Sequence, residues 1–165
     1  ASDVYKRQIY YKEDVLPQDY HKAITNFIMA EAQSIADSSF MLGVMYCKGW
    51  GVDKDEEEAF RHFMLAADEG DAYAQFNVGI HYYNGYGVKK DLQKAFEYFY
   101  LAAQQGIDSA QFDVGFLYHY GQGVKQSYGE AARWYKKAIE QEKEDAVFKL
   151  SLIIPKLHKT GASCE

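Results

Sequence analysis

The fold is decided by the segment Asp71-Ala-Tyr-Ala-Gln-Phe-Asn-Val-Gly79-Ile-His-Tyr-Tyr-Asn-Gly85-Tyr-Gly-Val88. Ala74, Val78 and Tyr82 follow one another at intervals of four residues, which places them on one face of an α-helix. A glycine at position 79, inside this helix, costs about 1 kcal/mol relative to alanine, so its presence requires a benefit. We expect this benefit to be a close approach of two helix backbones, which a Cβ atom would block.

The residues around this helix predict its ends and a second helix. Asp71 can accept backbone N–H bonds as an N-cap, and Gly85 suits the left-handed conformation that ends many helices. Helix A is therefore predicted over residues 71–84. Helix B is predicted over residues 92–105, where small and aromatic residues recur at spacings of four and three, namely Ala95, Phe99 and Ala102.

The pattern recurs without a gap every 36 residues along the chain. The repeated positions include Gly43, Gly79 and Gly115; Tyr46, Tyr82 and Tyr118; Phe40, Phe76 and Phe112; Gly51, Gly87 and Gly123; and Phe63, Phe99 and Tyr135. A fixed period of this length is typical of helical repeat arrays, in which each unit packs against its neighbours. The sequence therefore predicts an all-α solenoid of helix-turn-helix repeats.

About three full repeats are expected, with a partial repeat at each end of one domain over residues 9–158. We divide the chain into a tail (1–8), a partial repeat (9–34), full repeats (35–70, 71–106 and 107–142), a capping helix (143–158) and a flexible tail (159–165). The partial repeat is expected to contribute a helix over residues 16–33. Pro155 is expected to stop the repeat pattern in the last helix.

The segment 71–88, followed by Asp91, Ala95, Phe99 and Gly106, resembles the Sel1-like repeat. This repeat is related to the tetratricopeptide repeats. The resemblance implies a right-handed superhelix in which helix A lines the concave side. It also implies an adaptor or scaffold function, and some bacterial members of the family are immunity proteins that neutralise toxins. A cysteine-rich branch carries a cysteine pair in each repeat, but this chain has only Cys47 within its repeats and does not fit that branch.

Charge and hydropathy exclude two classes of partner. The chain carries 24 acidic and 18 basic residues, whereas nucleic-acid binders normally have a basic excess. No run of apolar residues approaches the ~20 that a membrane span needs. Two cysteines, Cys47 and Cys164, are expected as free thiols in a reducing compartment. A cytoplasmic location is expected, and a periplasmic or secreted one stays open because the sequence begins with Ala1.

The sequence contains no recognisable catalytic or metal-binding motif. The histidines, which have no zinc-type spacing and no evident cysteine or carboxylate cluster, are expected at surfaces or interfaces: His21, His62, His81, His119 and His158. The Gly-x-Gly-Val-Lys segments lack the other parts of a phosphate-binding loop. Residues 55–58, which are all acidic, are expected to form a solvated helix start. We therefore expect no enzyme, no cofactor and no metal, and keep a hydrolase as a disfavoured alternative.

Binding is expected at positions of helix A that vary between repeats, because the repeated positions hold the stack together. These positions and the adjoining loops are Asp37, Val44, Cys47, Lys48, Trp50, Tyr73, Ile80, Tyr83, Asn84, Tyr86, Ser109, Phe116, His119 and Tyr120. Their aromatic character favours another protein as the partner. A bacterial immunity protein that blocks a toxin is the narrower alternative. A monomer is expected, or a weak homodimer through Tyr10, Tyr11 and Phe27 at an uncovered end.

Overall fold

A computed structural model describes residues 35–141 and 144–160, and within these ranges every regular element is a helix. The helices are α1 (Ile35–Lys48), α2 (Glu56–Asp68), α3 (Ala72–Asn84), α4 (Leu92–Gln104), α5 (Asp108–Tyr120), α6 (Tyr128–Glu140) and α7 (Glu144–Thr160). The expected helix over 16–33, the dimer contact through Tyr10, Tyr11 and Phe27, and Cys164 lie outside the described residues.

Each helix packs against the one before it and the one after it, and α7 also touches α5. Helix A of successive repeats corresponds to α1, α3, α5 and α7, and helix B to α2, α4 and α6. The architecture is an all-α repeat superhelix, as predicted. Asp71 caps α3 by accepting the N–H of Ala74 at 2.8 Å, and Gly85 ends this helix in the left-handed conformation at φ 81°.

The repeated glycine of helix A has a different role from the one expected. A Cβ on Gly43 would lie 2.6 Å from Cδ1 of Phe63, and one on Gly115 would lie 2.7 Å from Cδ1 of Tyr135. The close neighbour is therefore the aromatic ring of the following helix B. The ring, and not a second backbone, is the nearest neighbour that the expectation missed, although at Gly115 the carbonyl oxygen of Ala131 would also lie 3.3 Å from an added Cβ.

A repeated hydrogen bond closes the loop between helix A and helix B. The backbone N–H of Asp91 donates to the carbonyl oxygen of Tyr82 at 2.9 Å, and the equivalent bonds join Asp55 to Tyr46 and Ser127 to Tyr118 at 3.0 Å each. The ring of Tyr82 meets Phe60 edge-on at a centroid distance of 5.2 Å, and that of Tyr118 meets Phe96 in the same way. Tyr82 and Tyr118 thus join α3 and α5 to the preceding helix B, whereas Tyr46 stacks on His62 of the following helix B.

The last helix continues through Pro155 to Thr160. Proline removes a helical hydrogen bond, but Ile153 and Leu157 are buried on either side of it, and their packing keeps this segment helical. The same helix exposes Val147 and Phe148. In the described part of the chain, no helix has the combination of length and apolar character that spanning a bilayer requires.

Candidate functional site

A pocket of about 270 Å³ lies between two successive A helices, α3 and α5. We call it the helix-A pocket, and its lining residues are Ile80, Tyr83, Asn84, Phe99, Phe112, Asp113, Phe116 and Leu117. Ile80, Tyr83, Asn84 and Phe116 are among the positions proposed from the sequence. The structure adds residues from the repeated columns, because a side chain that packs two repeats together can also form a pocket wall.

Phe99, on helix α4, forms a buried wall of the helix-A pocket, with 3% of its surface exposed. Its ring lies 6.4 Å from that of Tyr83 and 5.6 Å from that of Phe76, measured between centroids. Repetition at positions 63, 99 and 135 predicted packing alone for Phe99, so it was not among the positions proposed for binding. Its ring both packs the repeats together and lines the pocket.

Tyr83 is held in place by the next repeat. Its hydroxyl donates to Oε1 of Gln122 at 3.1 Å, and the ammonium group of Lys90 lies 5.4 Å from its ring centroid. Gln122 belongs to the Gly-x-Gly loop that follows α5. This loop therefore fixes the orientation of a pocket residue on α3, so part of the pocket is organised before any partner arrives.

A second aromatic group borders the pocket on α5. The ring centroids of Phe116 and Tyr120 are 4.6 Å apart, and 45% of Tyr120 is exposed. Nζ of Lys149, on α7, lies 5.2 Å from the Phe116 centroid and donates to the Tyr120 hydroxyl at 3.4 Å. This side of the surface thus combines aromatic rings with a cation.

The other positions proposed from sequence are scattered. Lys48 and Tyr86 are exposed, Trp50 and Ser109 are half-buried, and the ring of Tyr73 packs 6.4 Å from that of Phe40. The Asp37 side chain lies outside the described residues.

Two positions are closed to a partner, because Val44 is 6% and His119 3% exposed. Val44 belongs to the core of the stack. The imidazole of His119 stacks on the ring of Tyr120, with centroids 4.3 Å apart, and this contact covers it.

The three histidines whose side chains the structure describes are buried between helices. His62, His81 and His119 are 4%, 2% and 3% exposed. Burial is the largest cause that lowers the pKa of His119, and the positive charges of Lys156 and Lys149 lower it further. The position expected from sequence, at a surface or interface, is corrected to the interior of the helix stack.

His81 lies in a cluster with Cys47 and Glu56, whose potential ligand atoms all lie within 4.8 Å of one another. Histidine spacing in the sequence did not reveal this cluster, and the expectation of no bound metal stays a prediction. The three residues are far apart in sequence and occupy different columns of the repeat. A comparison of columns marks Glu56 and His81 as exceptions, because Leu92 and Leu117 occupy their places one repeat later, but it does not show that they meet in space.

These features define the class of the protein: a helical-repeat superhelix with a pocket between successive A helices. The Sel1 repeat model matches residues 8–34, 36–71, 72–107 and 108–143, and the chain belongs to the Sel1 repeat family. Sel1 repeat proteins generally act as scaffolds for interactions between proteins.

Solved structures of three bacterial proteins are similar. A Sel1 repeat protein from Oxalobacter formigenes is 30% identical over 92% of this chain and 60% of its own, with a TM-score of 0.80. The protein c5321, a protective antigen of uropathogenic Escherichia coli with this fold, is 34% identical over 84% of this chain and 32% of its own, with a TM-score of 0.76. Cysteine-rich protein B of Helicobacter pylori shares the fold at 24% identity and a TM-score of 0.64, over 84% of this chain and all of its own. The chain thus spans less than two thirds of the first two relatives. The comparison with curated proteins gave no match.

Proposed function

We propose that the chain is a protein-interaction scaffold that holds a segment of another protein by inserting one bulky apolar side chain into the helix-A pocket. The observation that carries this proposal is the pocket itself, whose walls are mainly aromatic and aliphatic. Buried aromatic anchors dominate the free energy of many protein interfaces. The Gln122 contact that fixes Tyr83 lowers the cost of ordering the site on binding.

The size of the pocket favours a side chain over a whole metabolite. Its volume of about 270 Å³ lies below the range of about 300–1,000 Å³ that is usual for small-molecule sites. Asn84 adds a polar amide at the edge, and Tyr120 extends the surface beside it. A partner segment can thus place one apolar residue inside and run over the exposed rings outside.

The positions that differ between repeats give the helix-A pocket a different set of side chains from the equivalent places in the other repeats. Tyr83 has Cys47 and His119 as its equivalents, while Asn84 has Lys48 and Tyr120. An array that recognised its partner through repeated residues alone would offer the same surface in each unit. The variable residues of α3 and α5 therefore support selective binding at this one pocket.

Peptides selected from a displayed random library for binding to the intact chain test this proposal. Selected peptides should share a bulky apolar residue. Tyr83→Ala combined with Phe116→Ala should weaken their binding by at least about 30-fold, the effect of losing one anchor worth about 2 kcal/mol. The matched control is Leu65→Ala with Leu101→Ala, two exposed helix-B residues, which should leave binding unchanged. Equal binding to wild type and the pocket variant would reject the helix-A pocket as the site.

The net charge of −6 favours partners with a basic surface. A toxin domain with such a surface would be one partner of this kind, and the immunity role is the corresponding narrower proposal. For such a partner the association rate should fall as salt rises, whereas the contribution of Tyr83 and Phe116 should persist. An association rate that does not change with salt would reject electrostatic steering and leave the pocket proposal to its own test.

A further inference from the structure

Three side chains that commonly bind metals meet where the first two described repeats join. Cys47 lies in the last turn of α1, Glu56 begins α2, and His81 lies in the last turn of α3. One potential ligand atom from each residue lies within 4.8 Å of the other two. His81 is 2% exposed, while Cys47 and Glu56 are half-buried, so the cluster sits at the edge of the core.

The hydrogen bonds of His81 define which ring nitrogen is free. Nδ1 lies 2.8 Å from the carbonyl oxygen of Tyr86, and only a protonated nitrogen can donate to that acceptor. In the neutral ring, Nε2 then carries a lone pair. A backbone carbonyl on the other nitrogen is the arrangement that commonly orients a metal-binding histidine.

Glu56 also has one oxygen in use and one available. Oε1 pairs with Nζ of Lys54 at 2.8 Å, whereas Oε2 is buried and accepts no N–H or O–H bond, and the thiol of Cys47 is close enough to interact with this carboxylate. Oε2 faces Nε2 of His81 at 4.0 Å. Two electron-rich atoms thus face each other inside the protein, an arrangement that a bound cation would stabilise.

The equivalent positions of the other repeats show that these residues are not needed for the fold. One repeat later, the places of Cys47, Glu56 and His81 are taken by Tyr83, Leu92 and Leu117. Two repeats later they are taken by His119, Tyr128 and Ile153. Among the three described junctions, all three positions therefore carry metal-binding residue types together at the first one.

We propose that Cys47 Sγ, Glu56 Oε2 and His81 Nε2 bind a zinc ion, with a fourth position open to water. Zinc takes this mixture of sulfur, nitrogen and oxygen ligands at distances of about 2.0–2.3 Å. Side-chain rotations would bring the ligand atoms, now up to 4.8 Å apart, into contact with one ion. As the sulfur–zinc bond forms, the thiol proton of Cys47 passes to solvent.

The pKa shifts of Cys47 and His81 act in opposite directions on metal binding, so the proposal stands on the geometry of the cluster. Burial, followed by the carboxylate of Glu56, raises the pKa of Cys47, so the empty site holds a thiol whose proton the metal must displace. Burial lowers the pKa of His81, although the hydrogen bond to Tyr86 and the charge of Glu56 oppose this shift. A neutral imidazole is the form that binds metal.

The ion would connect the three helices α1, α2 and α3. It would therefore fasten the first described repeat to the second, and none of its three ligands is among the residues that line the helix-A pocket. Metal binding and partner binding are thus separate properties, and the failure of one leaves the other intact.

Titration of zinc into the chelator-treated chain, in competition with a chromophoric chelator, measures this site. Wild type should bind one equivalent, and Cys47→Ser should weaken binding by ~100-fold, at least as much as the loss of an outer-shell partner. Cys164→Ser is the matched control and should bind like wild type. Cobalt should give a thiolate charge-transfer band in wild type and in Cys164→Ser, but not in Cys47→Ser.

A triple variant keeps the test independent of folding. Cys47→Tyr, Glu56→Leu and His81→Leu together install the residues that the next junction already uses. This variant should show a wild-type helical circular dichroism spectrum, no specific zinc binding and no increase of melting temperature with zinc. Equal zinc affinity in wild type and the triple variant, or in wild type and Cys47→Ser, would overturn the proposal.

Discussion

Phe99 lies so close to Gly79 that a Cβ atom on the glycine would be 2.6 Å from Cδ1 of the ring. The same ring forms a wall of the helix-A pocket. The glycine column, which holds each pair of helices together, therefore also sets the position of a side chain at the candidate binding site. The contact between Gly79 and Phe99 therefore contributes both to the packing of the helices and to the shape of the pocket.

Gly79→Ala should destabilise the fold. The new methyl group would have to displace the Phe99 ring, and overpacking of this kind costs about 1–3 kcal/mol, more than the gain of about 1 kcal/mol in helix propensity. We expect a net loss of up to about 2 kcal/mol in the free energy of unfolding, measured by urea denaturation.

Gly129→Ala is the matched control for this substitution. Gly129 also lies in a helix, but the nearest atom to its added Cβ is Oγ of Ser127 at 4.0 Å. The variant should be as stable as wild type or slightly more stable. Equal effects of the two substitutions would contradict the ring contact as the reason for the glycine column.

The N-cap of α4 should contribute a measurable part of the stability. One oxygen of Asp91 accepts the N–H groups of Gln93 and Lys94 at 3.1 and 3.0 Å. Asp91→Ala should lower the free energy of unfolding by about 1 kcal/mol, whereas Asp91→Asn should keep most of it. Urea denaturation of both variants checks this, and equal losses would show that charge, not the capping bond, matters.

His119 should make the fold less stable in mild acid. Because burial and the nearby Lys156 and Lys149 lower its pKa in the folded state, the unfolded chain takes up a proton first as the pH falls. Stability attributable to His119 is thus complete above about 6.5, the usual pKa, and declines below it by at most about 1.4 kcal/mol per pH unit.

The groups that face His119 are the Tyr120, Tyr128 and Tyr135 rings and the two lysines. His119→Leu should flatten the dependence of unfolding free energy on pH between 7.5 and 5.5. Denaturant titrations at both values give the measurement. An unchanged slope in the variant would assign the acid sensitivity to other groups.

The sequence was sufficient to predict the helix pairs and their order, because the residues that make the packing contacts recur at the same positions in each repeat. Asp71 and Gly85 marked the ends of α3, and the repeated tyrosines marked a packing column. The group that packs against Gly79 could not be predicted in this way, because a glycine indicates only that there is no room for a side chain. Whether backbone or a ring fills this space depends on the angle between the helices.

The candidate site was predicted less completely, because a column describes sequence position and not the neighbours in space. Variable positions on α3 and α5 do line the pocket, but Phe99 and Phe112 were assigned to packing since they repeat. The cluster around His81 joins residues from three helices. Only the packing of the first two repeats brings Cys47 and Glu56 to it.

The hydrogen bond from Tyr83 to Gln122 should strengthen partner binding by orienting the ring. A single bond of this type contributes about 0.5–1.5 kcal/mol, so Gln122→Ala should weaken binding of a selected peptide about 3- to 10-fold. Gln93→Ala is the control, since this exposed side chain on α4 donates to Oε1 of Glu97 at 3.4 Å and is not part of the pocket lining. Identical affinities of both variants, measured by calorimetry, would contradict pre-organisation.

The most direct measurement is a crystal structure of the chain bound to a selected peptide. The account predicts that one bulky apolar side chain of the peptide lies in the helix-A pocket, within about 4.5 Å of Phe99 and Phe116. A peptide seated instead on the helix-B surface around Leu65 and Leu101, with the pocket empty, would contradict it.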